Sequence, residues 1–429
     1  MRTRQLWLRL GGGAAVGAVA LAAGCGSSAP SQSRPSHSPS SPAATSAPST
    51  ASPGAPSTAA RAAQAVQGAA AVPTAAQLAA LKSESAVISN LSPEQLAGQR
   101  VIYSYNGLSA PAGLLDLIRH GDVGGVIFFS FNVSSPGQLR GVIAQMVKAN
   151  DAATNPLRSY PLLLMTDQEG GLVRRLPWAG PAQTEAQIGA SASPAAAAAT
   201  AGKQAATGLR AVGMNVNLAP VLDVYRQPGD FDDQFQRSYS QSPSVVSQAG
   251  AAFVAAQQKG GVAATVKHFP GLGAAARTQD TDNEPVTISL SAQTLRSVDE
   301  RPYQAAIRAG TKLAMVSWAT YPALGSRLPA GLSPSIVQGE LQQRLGFAGV
   351  TITDALGAGA LRSYGSLQDK TMLAGRAGME ALLCTATKPL PGWQCVAGLR
   401  DGLADGALPR TAFAGQLAQL LQLRAGLPT

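Results

Sequence analysis

The 429-residue sequence contains few of the residues that build metal centres. It has three histidines, His37, His120 and His268, and none of them lies near a cysteine at ligand spacing. Structural zinc sites combine cysteine and histidine ligands at short, regular spacings. We therefore predict no metal site.

Runs of positive charge are also missing. Lys and Arg number 33 against 23 Asp and Glu, a formal net charge of +10, but the basic residues are scattered along the chain. A nucleic-acid-binding domain usually concentrates its basic residues on one face or in one run. We expect no nucleic-acid partner, and the scattered charge instead suits proximity to an anionic wall or membrane.

The amino-terminal apolar run is too short to span a bilayer. Residues 14–23 follow three arginines and end in Leu-Ala-Ala, and Gly24 and Cys25 come next. A membrane span needs roughly 20 apolar residues. This pattern is typical of a lipoprotein signal peptide over residues 1–24, with lipidation of Cys25 after cleavage. The alternative is an ordinary secretory signal with an incidental cysteine.

Large apolar residues are almost missing from residues 26–73, which consist mainly of Ser, Ala and Pro. Such a segment cannot bury enough surface to offset the entropy of ordering it. We predict a disordered linker over residues 25–74 and a folded domain over residues 75–429. The expected protein is an exported monomer, anchored by lipid to the outer face of the cell membrane.

The folded part also lacks a glycine-rich phosphate loop after its first predicted strand, which argues against a doubly wound open sheet. Apolar runs instead alternate with alanine-rich amphipathic segments, and two of these, residues 193–212 and 242–258, open on Ser-Pro pairs that suit a helix start. The pattern predicts an α/β fold with a single (β/α)8 TIM-type barrel. The candidate strands are residues 101–103, 126–129, 162–166, 216–218, 262–267, 313–317, 350–353 and 381–383.

Three of the predicted strands end in acids or bases. The third leads into Asp167, the fifth ends on Lys267 and His268, and the seventh leads into Asp354. In a parallel barrel all strands end at one face, so we predict one active site there. Taken singly, each of these residues could equally be a cap or a turn residue.

Two cysteines remain when Cys25 is set aside. Cys384 and Cys395 flank a short loop in a chain that we expect to be exported to an oxidising space. We predict a disulfide between them. Two buried free thiols are the alternative.

Five sequence blocks together resemble glycoside hydrolase family 3, and more narrowly its β-N-acetylhexosaminidase branch. The match covers residues 91–389, and the order of the blocks is that of the family. The resemblance implies the same barrel that the strand pattern predicts. The blocks are Asp167-Gln168-Glu169-Gly170-Gly171 with Val173 and Arg175, then Asn217 to Val224, Arg237-Ser238-Tyr239, Lys267-His268-Phe269-Pro270-Gly271 and Gly349 to Asp354.

By this resemblance Asp354 is the nucleophile, which attacks the anomeric carbon and gives a covalent intermediate with net retention. The alternative is that Asp354 only caps a helix beginning near Ala355. The resemblance implies no cofactor.

The resemblance also implies a set of charged residues that bind the sugar in the terminal subsite. Glu169 and Asp223 are expected to orient them. An ionic network that only fastens the barrel mouth is the alternative, and both can hold at once. The implied sugar-binding residues are Asp167, Arg175, Arg237, Lys267 and His268.

The general acid is where the sequence departs from the family. The branch carries an Asp-x-His dyad in the loop after the fourth block, but residues 272–285 contain no histidine. Asp282 or Asp280 could serve as acid/base if burial or neighbouring carboxylates raised the pKa. Glu284 on the same loop is another candidate.

Two further positions differ from the family. Leu172 stands where arginine is usual. Trp318 lies in the sixth strand segment, where it could be a sugar-stacking platform or a packing residue.

The sequence therefore predicts a retaining glycosidase that acts on β-linked N-acetylglucosamine in cell-wall fragments. The rival hypothesis is a non-catalytic glycan-binding lipoprotein on a degenerate barrel.

Overall fold

The computed structural model describes residues 72–386 and 388–428. The predicted signal peptide, Cys25 and the predicted linker up to residue 71 lie outside the described residues. Within them, no helix combines the length and the apolar character that crossing a membrane requires.

Eight parallel strands of the described chain form the barrel sheet, in the order β10-β1-β2-β3-β6-β7-β8-β9. Ile352 of β9 bridges Ala381 beside β10, which brings the two ends of the sheet together. The predicted (β/α)8 barrel is confirmed. The strands are β1 Val101–Tyr103, β2 Gly125–Ile127, β3 Leu163–Thr166, β4 Gln168–Gly170, β5 Val173–Arg174, β6 Val216–Asn217, β7 Ala263–Phe269, β8 Leu313–Val316, β9 Val350–Thr353 and β10 Leu382–Leu383.

Alternate residues of each barrel strand pack in two different layers, as the period of two in a strand requires. Ile102, Leu163 and Ile352 belong to the layer inside the barrel. Val101 and Leu164, one position away, pack in the outer layer under the helices. Both faces of the sheet are therefore apolar, and polar side chains collect at the strand ends.

The helices cover the outside of the sheet. The two helices predicted from Ser-Pro pairs are observed at residues 194–210 and 243–259, each with proline in its first turn, but neither preceding serine makes a side-chain capping bond. The helices are α1 Ala75–Ile88, α2 Pro93–Gly98, α3 Ala112–His120, α4 Pro136–Asn150, α5 Glu185–Gly189, α6 Pro194–Arg210, α7 Phe231–Gln234, α8 Pro243–Lys259, α9 Ala292–Thr294, α10 Arg301–Arg308, α11 Leu367–Ala377, α12 Gly392–Ala404 and α13 Arg410–Ala425, with π-helical turns at Leu295–Asp299 and Ser335–Arg344 and 3-10 turns at Ser130–Asn132, Pro322–Leu324, Ala330–Leu332 and Gly359–Leu361.

Cys384 and Cys395 are joined by a disulfide in the structure, with their Cα atoms 6.3 Å apart. Both residues are fully buried. The bond ties the end of β10 to the first turns of α12 and closes a loop at the carboxyl face of the barrel.

We expect both cysteines to be unreactive when the mature protein is unfolded without reductant and treated with a thiol reagent. Reduction before unfolding should expose both thiols and lower the free energy of unfolding by about 2–4 kcal/mol, because the bond restricts the unfolded chain. Labelling of both cysteines in the unreduced protein would contradict the pairing.

Candidate active site

The strand-end residues converge on one face of the barrel. Asp167 follows β3, Lys267 and His268 lie at the end of β7, and Asp354 follows β9. Gly171, with φ +50°, makes the turn of the small β4–β5 hairpin, and a Cβ atom there would meet Thr184. The hairpin brings the chain back beside Asp167, where the backbone N–H of Arg175 donates to the Asp167 carbonyl at 3.2 Å.

Lys267 lies between two carboxylates in a nearly dry position. Its Nζ is 2.8 Å from Asp167 Oδ1 and 2.7 Å from Glu169 Oε1, and 2% of its side chain is exposed. Burial lowers the pKa of Lys267, but the two carboxylates outweigh it and raise the pKa above its ordinary value. The lysine therefore stays charged.

Arg237 holds Glu169 in a bidentate pair. Its Nε and Nη2 donate to the two Glu169 oxygens at 2.9 and 3.0 Å, and its Nη1 donates to Asp232 Oδ1 at 2.9 Å. Although burial raises the pKa of Glu169, Arg237 and Lys267 hold it well below its usual range. Glu169 is thus a buried anion that orients two cations.

Arg175 is held more loosely than the other charged residues. Its Nε is 3.9 Å from Asp167 Oδ2 and has no hydrogen-bond partner within the described chain. The guanidinium remains able to donate to a ligand that enters the mouth of the barrel.

Asp223 fixes the imidazole of His268. Its Oδ2 lies 2.7 Å from His268 Nδ1, and its Oδ1 accepts from the backbone N–H of Leu272 at 2.6 Å. Because Nδ1 is engaged, we assign the free ring position to Nε2. Burial lowers the pKa of His268, but Asp223 raises it above its ordinary value.

Asp232 is a buried acid that the sequence did not single out. Its Oδ2 has no hydrogen-bond partner in the described residues, and its carboxyl, Asp223 and His268 offer ligand atoms within 4.8 Å of one another. Burial, opposed by Arg237 and reinforced by Asp223, raises the pKa of Asp232 to about 7. When Oδ2 is protonated, Asp232 can donate a hydrogen bond to the Asp223 carboxylate, and the two acids no longer repel each other. Arg237 and His268 supply the positive charge beside them.

We expect Asp232→Asn to be more stable than the wild type at neutral pH. Asp232 ionises near 3.8 when unfolded and about 7 when folded. The stabilisation that protonated Asp232 gives the folded state is therefore complete below pH 4 and is lost as the pH rises to 7. Asparagine can keep the hydrogen bonds with Arg237 and Asp223 and does not ionise. Between pH 4 and 7 the free energy of unfolding of the variant should therefore rise by about 2–4 kcal/mol relative to that of the wild type.

Urea unfolding at intervals from pH 4 to 7.5 measures this difference. Asp233→Asn is the control for the substitution itself, because it makes the same change at the neighbouring residue and keeps an oxygen that can accept from the backbone N–H of Gly229. The gain is assigned to Asp232 when it is larger in Asp232→Asn than in Asp233→Asn. If the free energy of unfolding changed with pH in the same way for Asp232→Asn and the wild type, Asp232 would be ionised over the whole pH range.

Glu185 is a second buried acid that the sequence analysis missed. It accepts from the backbone N–H of Val221 at 3.0 Å. Burial and the charge of Glu169 raise its pKa well above the ordinary value. Glu185 and Asp232 lie in surface-like polar segments of the sequence, and no spacing indicated that they fold under the charged cluster.

Asp354 is half-buried directly after β9. Its Oδ1 accepts from the backbone N–H of Ala355 at 2.7 Å, but within the described chain no helix begins there: the next helical turn is Gly359–Leu361. The structure therefore does not support the helix-capping interpretation of Asp354.

Trp318 is a packing residue, which decides between the two roles that the sequence left open. It is 1% exposed, and its Nε1 donates to the carbonyl of Ala355 at 2.9 Å. The indole cannot stack on a sugar, but it fixes the segment that carries Asp354. Leu172, the other position at which the sequence differs from the family, is 53% exposed at the tip of the hairpin.

Asp280 builds the turn that carries Asp282. Its Oδ1 accepts from the backbone N–H of Asp282 at 2.9 Å, and its Oδ2 accepts from Asn283 Nδ2 at 2.6 Å. The turn is fastened to the segment after Asp354, because the carbonyl of Asp282 accepts from the backbone of Gly359 at 2.7 Å. Asp280 is thus occupied by local hydrogen bonds.

The Asp282 carboxyl is the acid whose titration is tied most closely to Asp354. Burial, and then the charges of Asp354 and Asp280, raise the pKa of Asp282 to about 7. Asp282 is nevertheless exposed to solvent, so water can reach its carboxyl and weakens the part of this shift that comes from burial. Burial and Asp354 also raise the pKa of Asp280, but within residues 72–386 and 388–428 the carboxyl of Asp282 makes no side-chain hydrogen bond. Glu284 is exposed on the same loop.

A parallel barrel with acids and bases at the carboxyl ends of its strands is a frequent enzyme scaffold, and the comparisons identify the family. Residues 107–423 match the model of the glycosyl hydrolase family 3 N terminal domain. The chain belongs to glycosyl hydrolase family 3, as its sequence blocks predicted.

Two relatives illustrate the range of similarity. An "uncharacterized secreted glycosyl hydrolase" of Arthroderma benhamiae is 44% identical over 351 residues, which cover 81% of this chain and 98% of the relative. A "beta-hexosaminidase" of Stenotrophomonas maltophilia is 34% identical over 280 residues, which cover 62% of this chain and 78% of the relative.

Two solved structures are similar to the barrel. A family 3 β-N-acetylglucosaminidase from Paenibacillus superposes with a TM-score of 0.72 at 30% identity, covering 78% of this chain and 62% of that enzyme. The β-N-acetylhexosaminidase of Beutenbergia cavernae gives a TM-score of 0.69 at 29% identity, with coverage of 79% and 99%. The chain therefore spans about three fifths of the first enzyme and nearly all of the second.

Proposed function

We propose that the protein is a retaining glycoside hydrolase that removes terminal β-linked N-acetylglucosamine. The named relatives support this class of substrate. The observation that carries the proposal is that Asp282 and Asp354 lie on connected segments of the barrel mouth: the carbonyl of Asp282 accepts from the backbone N–H of Gly359, in the segment after Asp354, at 2.7 Å, and the charge of Asp354 helps to raise the pKa of Asp282. A retaining glycosidase needs one ionised and one protonated carboxyl.

The charged cluster beneath these acids supplies a terminal sugar subsite. In this proposal Asp167, Arg175, Lys267 and His268 bind the ring hydroxyls, and Arg237 uses N–H groups left over from its pairs. A carboxylate and a guanidinium suit vicinal hydroxyls, and Lys267 can donate from the side. The ion pairs among these residues also hold the subsite in shape.

The reaction then follows from the two carboxyls. Asp354 attacks the anomeric carbon while Asp282 gives its proton to the departing oxygen, so the glycosidic bond breaks as a glycosyl ester forms. The ester removes the negative charge of Asp354, and the pKa of Asp282 falls accordingly. Asp282 can therefore take a proton from the incoming water, which cleaves the ester and restores both groups.

A non-catalytic glycan-binding protein is the second candidate. The absence of a histidine from residues 272–285, where the family carries its Asp-x-His dyad, favours it. An aryl β-N-acetylglucosaminide with a good leaving group needs little help from an acid, whereas an unactivated disaccharide needs a proton. The proposed hydrolase cleaves both compounds. A protein that cleaves neither but binds N-acetylglucosamine would be the binding module.

We also propose that the protein is exported and held by a lipid on Cys25, where it acts on cell-wall fragments. The relative from Arthroderma benhamiae is described as secreted, and residues 14–25 have the lipoprotein pattern. A labelled fatty acid should be incorporated into the wild type and not into Cys25→Ser. Equal recovery of both proteins in the soluble exported fraction would contradict the anchor.

A further inference from the structure

Exposed apolar side chains are concentrated on one side of the barrel mouth. In residues 72–386 and 388–428, eight large apolar side chains are exposed, and five of them follow the carboxyl ends of β10, β1, β2 and β3. These four strands are neighbours in the sheet. We call these five residues the apolar sector: Leu108 (45% exposed), Phe131 (40%), Leu172 (53%), Trp178 (39%) and Trp393 (61%).

The connections after β1 and β2 are fastened to each other. Asn132 Nδ2 donates to the carbonyls of Tyr105 and Gly107 at 3.0 and 2.9 Å. Phe131 is also stacked on Phe129, with ring centroids 5.3 Å apart. The ring of Phe131 is therefore held in place on the surface, which lowers the entropy lost when a ligand stacks on it.

The elements that carry the apolar sector are neighbours of the elements that carry the terminal sugar subsite. Leu172 lies at the tip of the hairpin that carries Glu169 and leads into Arg175. At the other edge, β10, which precedes Trp393, lies beside the strand that leads into Asp354. A chain whose terminal sugar occupied the charged subsite would extend over these loops.

A cavity of about 800 Å³ adjoins the hairpin, and Trp178 forms part of its wall. Most of its lining comes from α6 and the turn after it, from Thr200 to Val212, and includes Lys203 and Gln204. Arg174 of the hairpin and Pro136 at the start of α4 also line it. The lining combines one aromatic face with hydrogen-bonding groups and contains no carboxylate. A sugar ring has the matching chemistry, with C–H groups on its faces and hydroxyls at its edge.

We propose that the apolar sector binds the sugar units on the leaving-group side of the scissile bond. This inference rests on the proposed function and adds that the substrate is an oligosaccharide chain rather than a disaccharide. Isolated exposed apolar residues are ordinary, but five in neighbouring loops around an active site mark a binding surface. The terminal subsite is lined by charged groups, so stacking is left to the loops around it.

Chain length is the variable that tests the proposal. We expect kcat/KM for β-1,4-linked N-acetylglucosamine oligomers to rise from two to five units in the wild type. Phe131→Ala, Trp178→Ala and Trp393→Ala should each lower kcat/KM for the longer oligomers about fivefold to tenfold, the effect of one lost stacking contact. An aryl monosaccharide has one leaving group in place of a sugar chain, so the three variants should lower its kcat/KM less than they lower that of the longer oligomers.

Val147→Ala is the matched control, because Val147 is 39% exposed on α4, outside the apolar sector, and should leave every substrate unaffected. If the aryl substrate is cleaved but kcat/KM does not rise with oligomer length, the apolar sector does not bind sugar units. The proposed function would not be affected by that result. If the aryl substrate is not cleaved, the dissociation constants of the same oligomers provide the test, and equal affinity for all lengths overturns the inference. Loss of binding to anionic lipid vesicles in the three variants, with oligomer cleavage unchanged, would assign the surface to a membrane instead.

Discussion

Asp354→Asn and Asp354→Ala should both lose turnover of even an activated aryl substrate, on the order of 10⁴-fold or more, because no carboxylate remains to form the glycosyl ester. The asparagine variant separates catalysis from structure. Asparagine caps a helix or accepts the backbone bond from Ala355 as well as aspartate does. A purely structural Asp354 would therefore tolerate asparagine with near-native activity.

The fold of these variants should be intact, since Asp354 is half-buried at the mouth and makes one backbone hydrogen bond. Urea unfolding should show little change in the midpoint. Azide supplies an external nucleophile to Asp354→Ala, and attack in place of Asp354 should give a glycosyl azide of inverted configuration. Near-native turnover, or an azide product of retained configuration, would show that the nucleophile is another residue.

Asp282→Ala should slow an unactivated disaccharide about 10²-fold to 10⁴-fold and slow formation of the glycosyl ester from an activated aryl substrate much less. The reason is that only the unactivated leaving group needs a proton. For the wild type, cleavage of the disaccharide should fall as the pH rises through about 7, because the acid form of Asp282 is lost. That decrease should be missing from the variant, and azide should restore turnover of the activated substrate with retained configuration.

Two variants on the same loop serve as controls. Glu284→Gln removes an exposed acid and should keep the wild-type ratio between the two substrates. Asp280→Asn keeps an oxygen that can accept from the backbone of Asp282 and should have an effect below about tenfold. If Asp282→Ala affects both substrates equally little, the acid lies elsewhere or the protein is a binding module. If Asp280→Asn shows the larger selective loss, the two acids have exchanged roles.

The barrel and the place of the site were determined by local sequence. Apolar runs that alternate with amphipathic segments specify strands buried on both faces, which is the pattern of a parallel barrel. The polar residues that end these runs, such as Asp167 and Asp354, must then meet at the carboxyl face. The family resemblance rests on short contiguous blocks of sequence. It could therefore be recognised without knowledge of any long-range contact, and the family model confirms it.

Choices between neighbouring side chains were decided only by the tertiary structure. Asp280 and Asp282 are two residues apart and equivalent by spacing. The turn engages the carboxyl of Asp280 in hydrogen bonds, whereas the described residues make none to the carboxyl of Asp282, whose pKa is raised in part by the charge of Asp354. Trp318 could be a platform or a packing residue until the fold buried it. Such outcomes depend on partners far away in the chain, which periodicity does not specify.

The buried acids show the same limit most clearly. Asp232 and Glu185 belong to polar segments that in sequence resemble solvated loops, and both are 1% exposed. Their ionisation depends on the desolvation and on the charges of Asp223 and Glu169, which only the closed barrel brings beside them. The sequence by itself therefore determined the barrel, the family and the face that holds the site, whereas the protonation of its acids was decided by tertiary packing, because a pKa is set by distance and burial rather than by order along the chain.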